Sequence, residues 1–219
     1  MNKIKLYDLF WAPIYDFLAN NTPLVGYRQT KQRAVEELNL HRGQSVLVYC
    51  VGTGFELKYI VEKIGPKGTI AAIDSSREML RRARDKINKF GWKNVQLIQA
   101  DVTKYEQQQQ FDASLCCFGL STILQSEEAL YGLIQHTKSG GRIAIADAMP
   151  LFGPRRIFNP FRIIVSQLLG TGQAGLEKAK LHKQILESRL TNITYETYNG
   201  NYIMAGTKPQ TDQSSSLTT

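Results

Sequence analysis

Short β-rich runs alternate with amphipathic helical stretches between residues 45 and 147 of this 219-residue chain. The β-rich runs are nearly continuous in apolar residues, which is typical of strands buried on both faces of a parallel sheet. Helices must then connect these strands and cover both faces. We predict strands at 46–50, 69–74, 95–100, 113–118 and 142–147, and helices at 56–64, 76–90 and 127–137.

The C-terminal part of the chain has a different pattern. After a predicted helix near 177–187, Asn199 and Gly200 separate two β-rich runs, 193–198 and 202–206. An Asn-Gly pair between such runs favours a tight hairpin. The predicted fold is therefore α/β, with a Rossmann-like doubly wound, mostly parallel seven-stranded sheet and a C-terminal antiparallel hairpin.

The length of the chain fits one domain with a full core. We predict this domain at 44–206, preceded by an N-terminal helical cap at 1–43. Within the cap, Thr22 and Pro23 suit the start of a helix that runs to about Leu38. Three prolines and an apolar stretch between basic flanks favour a lid or an insertion at 150–175. The polar tail at 207–219 is predicted to be disordered.

The net charge of +8 is compatible with nucleic acid, with an anionic membrane surface or with simple solubility. The basic residues form no run of five or six and no nucleic-acid-binding motif is present, so nucleic acid is the least favoured partner. The three cysteines form no CxxC pair, which favours a reducing compartment. Neither a signal peptide nor a membrane span is indicated. We therefore expect a cytoplasmic protein, with peripheral membrane contact left open.

A glycine turn and two aspartates carry the first functional signal. Gly52 and Gly54 follow a predicted strand and precede a helix, where the backbone can approach a ligand and free N–H groups are available. By itself this turn fits a simple strand-to-helix connection equally well. Asp74 ends the next strand, where a carboxylate can bind a ribose diol, and its alternative role is a helix cap. Asp101 ends the third strand and suits an adenine amino group, or else caps a loop.

The segment 73–83, in which Asp74-Ser75-Ser76 is followed by Met79-Leu80 and Ala83, resembles the second-strand motif of class I S-adenosylmethionine-dependent methyltransferases. The glycine turn resembles their first motif, and 111–120 and the predicted turn at 139–142 resemble further family signposts. The resemblance implies S-adenosylmethionine as the cofactor. It also implies cofactor contacts from these residues: Cys50, Gly52, Thr53, Gly54, Asp74, Ser75, Met79, Asp101, Val102 and Cys117.

The acceptor side resembles two subgroups of that family. Phe118-Gly119-Leu120, with Tyr15-Asp16 upstream, is similar to quinone-biosynthesis C-methyltransferases, whereas 159–161 is more faintly similar to lipid-headgroup N-methyltransferases. The resemblance implies in-line methyl transfer to a small hydrophobic acceptor, quinone-like or lipid, with Tyr15 and Phe118 lining its pocket. Residues 155–169 mix arginines with apolar groups, which suits contact with a lipid interface or with a hydrophobic acceptor. A lid or a dimer-forming helix is the alternative for this segment.

Several positions depart from the family pattern. Val48 stands where an acidic residue near the amino-acid end of the cofactor is usual, and Cys50 stands where glycine is usual. In the quinone subgroup Arg and Asn are typical where this chain has Ser121 and Thr122. A catalytically weak or inactive methyltransferase-like binding protein is therefore the alternative function, and a nicotinamide-dependent oxidoreductase is disfavoured because the full GxGxxG is absent.

No catalytic residue is predicted from the sequence. His136 and His182 fall on helical segments and are expected to be solvated, and the cysteines and histidines lack the spacing of metal ligands. The oligomeric state is open, with a homodimer as one option.

Overall fold

The computed structural model describes residues 26–149 and 172–210, and the side chains of 172–177 lie outside this description. The described helices are α1 (Tyr27–Glu36), α2 (Leu57–Ile64), α3 (Arg77–Phe90), α4 (Ser126–Gln135) and α5 (Gly172–Arg189), with a short 3₁₀ turn at Leu120–Thr122. The strands are β1 (Ser45–Tyr49), β2 (Thr69–Asp74), β3 (Val95–Gln99), β4 (Phe111–Cys117), β5 (Thr137–Ala148), β6 (Thr191–Tyr198) and β7 (Asn201–Thr207).

The strands form one seven-stranded sheet in the order β3-β2-β1-β4-β5-β7-β6. The first five strands are parallel to one another, whereas β7 is antiparallel to both β5 and β6. The strand order reverses between β1 and β4, and in α/β sheets a ligand crevice lies outside the carboxyl ends of the strands at such a point. The predicted mostly parallel sheet with a C-terminal hairpin is confirmed.

Both faces of the sheet are buried, as the apolar strands predict. Along β1, Val46 and Val48 belong to one core cluster, which includes Leu57 of α2. Leu47 and Tyr49 belong to the other cluster. Because successive side chains of a strand point to opposite faces, one apolar strand supplies both cores.

The helices divide between the two faces of the sheet. Helices α1, α2 and α3 contribute Ala34, Ile60 and Leu80 to the first cluster. Helices α4 and α5 contribute Leu130 and Ile185 to the second cluster. This arrangement is the doubly wound architecture.

The structure corrects two element boundaries. Helix α1 begins at Tyr27 after Gly26, whose φ is 63°, and not at Thr22 and Pro23, which lie outside the described residues. The predicted helix at 127–137 ends at Gln135, and β5 begins at Thr137. The predicted turn at 139–142 is therefore part of β5. Gly140 nevertheless has a φ of 78°, and the register with β4 shifts here. Phe111 pairs with Thr137, and Ala113 pairs with Arg142.

Other predictions concern residues that the structure does not describe. Most of the predicted cap at 1–43, nearly all of the predicted lid at 150–175 and most of the tail at 207–219 lie outside the described residues. These domain assignments remain predictions. In the part of the chain that is described, none of the helices is both long and apolar enough to cross a membrane.

Candidate active site

A cavity of about 370 Å³ lies at the carboxyl ends of β1, β2 and β4. Nine of the ten residues predicted to contact the cofactor line this cavity, and so does Phe118, which was predicted for the acceptor pocket. Tyr15 lies outside the described residues. The nine lining residues are Cys50, Gly52, Thr53, Asp74, Ser75, Met79, Asp101, Val102 and Cys117.

The two glycines of the first turn have different roles in the structure. Gly52 has a φ of 54°, and a Cβ built on it would have no atom within 4 Å, so its backbone is open to a ligand. Gly54 has a φ of 74° but does not line the cavity, and a Cβ there would lie 2.7 Å from Leu57 Cδ1 and 3.3 Å from Ala83 Cβ. Gly52 therefore opens the cavity, whereas Gly54 lets α2 and α3 pack close to the turn.

Asp74 joins the glycine turn to the start of α3. Its Oδ2 accepts a hydrogen bond from the Gly52 N–H at 2.7 Å, and its Oδ1 accepts one from the Ser76 N–H at 2.9 Å. The helix cap is Ser76, whose Oγ accepts from the Met79 N–H at 3.1 Å. These bonds hold both carboxylate oxygens of Asp74 beside the glycine turn, at the wall of the cavity.

Asp101 is an exposed residue at the far side of the cavity. Its Oδ1 accepts hydrogen bonds from the Thr103 N–H at 3.0 Å and from the Thr103 hydroxyl at 2.8 Å. The bonds from Thr103 lower the pKa of the Asp101 carboxyl, which keeps it ionised. The loop-capping role that the sequence left open is thus present, and a bond to an adenine amino group stays a proposal.

Cys50 and Phe118 form part of the cavity wall in an unusual backbone conformation. Their φ angles are 53° and 56°, in the left-handed region that non-glycine residues rarely adopt. Gly119 packs against Cys50, and a Cβ built on Gly119 would lie only 2.3 Å from Cys50 Cβ. Strained residues of this kind often mark functional sites.

The loop after β4 closes one side of the cavity and is fixed from behind. Buried Asp147 accepts hydrogen bonds from the Ser121 N–H at 2.8 Å and from the Ser121 hydroxyl at 2.7 Å. Lys178 of α5 donates to the backbone carbonyls of Ile123 and Leu124, the latter at 2.9 Å. Ser121, one of the departures from the quinone subgroup, therefore anchors the loop.

His136 and His182 are buried, and the prediction that they are solvated is wrong. His182 Nδ1 lies 3.0 Å from the Tyr202 hydroxyl, and its Nε2 lies 3.0 Å from Ser126 Oγ. His136 Nδ1 lies 2.7 Å from the Gly132 carbonyl oxygen. Burial lowers the pKa of both rings, that of His182 to about 4. Neither histidine lines the cavity, so both act as neutral structural residues.

The sequence reasoning missed an ion pair beside the cavity. Lys31 of α1 lines the cavity, and its Nζ lies 3.0 Å from Oε2 of Glu56, whose side chain is fully buried. No motif marks either residue, and they are 25 positions apart. The one available signal was the position of Glu56, two residues after Gly54 and directly before α2.

Comparison with known proteins identifies similar sequences. Residues 46–141 match the model of the methyltransferase domain family. The chain is 31% identical over 147 residues to the ubiquinone/menaquinone biosynthesis C-methyltransferase of Pseudomonas fluorescens, covering 65% of this chain and 57% of that protein. It is 25% identical over 162 residues to the demethylmenaquinone methyltransferase of Listeria welshimeri, covering 73% and 69%. Over this part of the chain the sequence is therefore similar to methyltransferases.

Solved structures show the same fold. A SAM dependent methyltransferase from Aquifex aeolicus superposes with a TM-score of 0.68 at 22% identity, covering 90% of this chain and 98% of that one. The chain spans 57% of the length of the first curated relatives that it matches. The methyltransferase fold is thus shown for this chain, and the resemblance inferred from the glycine turn and the Asp74 segment is confirmed.

Proposed function

We propose that this protein transfers the methyl group of S-adenosylmethionine to a small hydrophobic acceptor, quinone-like or lipid. The observation that carries the proposal is the convergence of Gly52, Asp74 and Asp101 on one cavity at the reversal point of a methyltransferase sheet. The open space over Gly52 and the position of the Asp74 carboxylate at the cavity wall fit a nucleoside that lies against the turn.

The residues of the cavity suit this chemistry without a strong acid or base. S-adenosylmethionine, when bound, supplies a methyl group on a positively charged sulfur. Alignment of donor and acceptor in a closed site can lower a barrier by about 7 to 11 kcal/mol. Cys117 and Phe118 give the cavity apolar walls, and Cys117 is almost fully buried. The proposed contribution of the chain is therefore positioning and exclusion of water.

The loop at 119–125 supports an apolar acceptor. Ile123 and Leu124 line the cavity, and Leu124 is 83% exposed at its rim. An exposed leucine beside a cavity suits a hydrophobic molecule that enters from outside. Two relatives are quinone-biosynthesis methyltransferases by name, which favours a quinone-like acceptor over a lipid. Contact of 155–169 with a membrane, a homodimer and a cytoplasmic location remain parts of the proposal.

Calorimetric titration with S-adenosylmethionine and with S-adenosylhomocysteine tests the cofactor. We expect both to bind, and Asp74→Ala to weaken both by about tenfold or more, because hydrogen bonds to a charged acceptor contribute about 1.5 to 3 kcal/mol. Lys93→Ala, an exposed residue outside this cavity, is the control and is expected to change neither affinity. Absence of binding at millimolar cofactor would favour the alternative of an inactive methyltransferase-like protein.

The acceptor needs a separate experiment. The protein is incubated with S-adenosylmethionine and with quinone or lipid extracts, and mass spectrometry searches for products that gain one CH₂ unit. A quinone product is the expected result. Methylation of lipids alone would replace the quinone assignment while leaving the reaction class intact.

A further inference from the structure

The Lys31–Glu56 ion pair is an unusual feature to find beside a ligand cavity. The side chain of Glu56 is fully buried, and that of Lys31 is 12% exposed and reaches the cavity wall. Both charges act on the Cys117 thiol in the same wall, where the Glu56 carboxylate raises its pKa and the Lys31 ammonium lowers it, in addition to the larger effect of burial. Helix α1, which carries Lys31, packs against β4, so the pair lies close to the β4 side of the cavity.

The buried pair is also incomplete as it stands. Glu56 Oε2 contacts Lys31 Nζ, but Glu56 Oε1 is buried without a hydrogen-bond partner among the residues that the structure describes. Buried carboxylate oxygens are ordinarily satisfied, and a native exception calls for an explanation. A buried pair is also weak evidence for stability, because desolvation opposes the attraction between the charges. A functional reason for this pair is therefore worth seeking.

The position of the pair fits the far end of the proposed ligand. With the ribose at Asp74 on the β2 side, the sulfur and the amino-acid end must lie across the cavity, toward the ends of β1 and β4. Lys31, Cys50 and Cys117 line that part. The amino-acid end is a zwitterion with one carboxylate and one ammonium group, so a Lys–Glu pair complements it in both signs.

The strand itself supplies no charge at this end of the cavity. Val48, one of the positions that depart from the pattern implied by the resemblance, is fully buried in the apolar cluster with Val46 and Leu57. Glu56 lies at the other end of the same glycine turn, directly before α2. A carboxylate is thus present beside the turn, but it comes from the end of the turn and not from β1.

We propose that Lys31 binds the α-carboxylate of the cofactor and that Glu56 is the positioning residue that holds Lys31 at the cavity wall. The second oxygen of Glu56 lets the Lys31 ammonium keep a partner as it turns toward the ligand. This inference rests on the proposed function, because it assigns one end of the cofactor in the same cavity. It also accounts for the valine at position 48, since the pair takes over the charge recognition.

The test compares two ligands that differ only at the amino-acid end. S-adenosylhomocysteine has this end, whereas 5′-methylthioadenosine has the same nucleoside and thioether without it. We expect the unchanged protein to bind S-adenosylhomocysteine more tightly. Lys31→Met should weaken S-adenosylhomocysteine by about tenfold or more, as for other charge-assisted bonds, and leave 5′-methylthioadenosine unchanged. Lys31→Arg should restore part of the affinity.

Two further variants separate positioning from folding. Glu56→Gln should weaken S-adenosylhomocysteine less than Lys31→Met does and should leave 5′-methylthioadenosine unchanged. The double variant Lys31→Met with Glu56→Gln avoids an unpaired buried carboxylate and should lose the preference between the two ligands. Lys63→Met removes the same charge from the exposed far end of α2 and should change neither affinity.

Three results would overturn the inference. Lys31→Met could leave S-adenosylhomocysteine binding unchanged, which would show that Lys31 does not contact the carboxylate. It could weaken both ligands equally, which would show a structural role. If the unchanged protein bound neither ligand, both the proposed function and this inference would fail. This outcome is distinguishable from the first two, because it is seen with the unchanged protein and requires no variant.

Discussion

Cys50 and Gly119 occupy one small space at the cavity wall, so the residue at one position limits the residue at the other. A Cβ on Gly119 would lie 2.3 Å from Cys50 Cβ and 2.5 Å from Cys50 Sγ. We expect Gly119→Ala to lower the free energy of unfolding by about 1 to 3 kcal/mol, since overpacking forces the backbone to shift. Urea denaturation measures this change.

The same contact predicts compensation between the two positions. In a Cys50→Gly background the clashing atoms are gone and the nearest neighbour of the new methyl group is Cys116 Sγ at 3.2 Å, so Gly119→Ala should be much less destabilising. Gly132→Ala on α4 is the control, because its Cβ would have no neighbour closer than 3.5 Å. An equal loss of stability from Gly119→Ala in both backgrounds would rule out the contact as the cause.

The sequence predicted the residues whose type is tied to backbone geometry, and it missed those that depend on tertiary pairing. Gly52 and Asp74 stand at fixed places relative to strand ends, so their positions follow from the strand pattern. Lys31 and Glu56 meet only because α1 packs over the glycine turn, and His182 reaches Ser126 only because α5 packs beside the loop. Such contacts leave no spacing signal.

At the scale of elements, the attachment of α5 to the loop after β4 depends on pH. Burial and the Lys178 ammonium lower the pKa of His182 to about 4, from about 6.5 in an unfolded chain. The stability that neutral, buried His182 contributes is complete above about pH 6.5. It is lost as the pH falls toward 4, because His182 then takes up a proton in the unfolded chain but not in the folded protein. The loss amounts to about 3 kcal/mol.

The measurement is the free energy of unfolding at several values between about pH 7 and pH 4. His182→Gln should show a smaller fall over this range, since glutamine does not titrate. His41→Gln, at an exposed position, should match the unchanged protein. Burial raises the pKa of Asp147, so this residue also affects the pH dependence of the free energy of unfolding. Its effect is the same in all three proteins and cancels when their pH profiles are compared. Identical pH profiles for His182→Gln and the unchanged protein would contradict the assignment.

Element boundaries were predictable where apolar runs set them. Strand β2 was predicted with its observed bounds, and β1 and β3 differ by one residue at one or both ends. Strand β5 begins five residues earlier than predicted because Lys138, Ser139 and two glycines look like a turn. The irregular pairing with β4 between Phe111 and Ala113 shows why this segment reads as a turn and still forms part of the strand.

For the whole molecule, the alternation of strands and helices was sufficient to predict the doubly wound sheet and the edge at which the cavity lies. Each apolar strand requires cover on both faces, and right-handed crossovers then leave few arrangements. The acceptor is not encoded in this way, because in the proposed function it is selected by a few side chains around Phe118 and Leu124. The fold therefore follows from the global pattern, whereas the family resemblance came from the glycine turn and the Asp74 segment.

The sheet also predicts how stability is distributed and how a ligand would change it. Strands β1 and β4 are central and buried, so their amides should exchange with solvent most slowly, whereas the edge strand β6 is largely exposed and should exchange sooner. A bound ligand makes rarer only those opening motions of the protein that disrupt its binding site. Saturating S-adenosylhomocysteine should therefore slow amide exchange around the cavity, at 50–56, 74–79 and 117–125. It should also slow exchange in the core strands, whose amides exchange only when the whole domain unfolds. Exchange in β6 should not change.

Hydrogen exchange followed by mass spectrometry measures both effects on one sample. Asp74→Ala, at the same ligand concentration, should reduce the slowing at 50–56 and 74–79, because the carboxylate joins the glycine turn to α3. If the ligand slowed exchange in β6 as much as at the glycine turn, the hairpin would open only together with the whole domain. If it slowed exchange in β6 alone, the ligand would bind outside the cavity and the proposed site would be wrong.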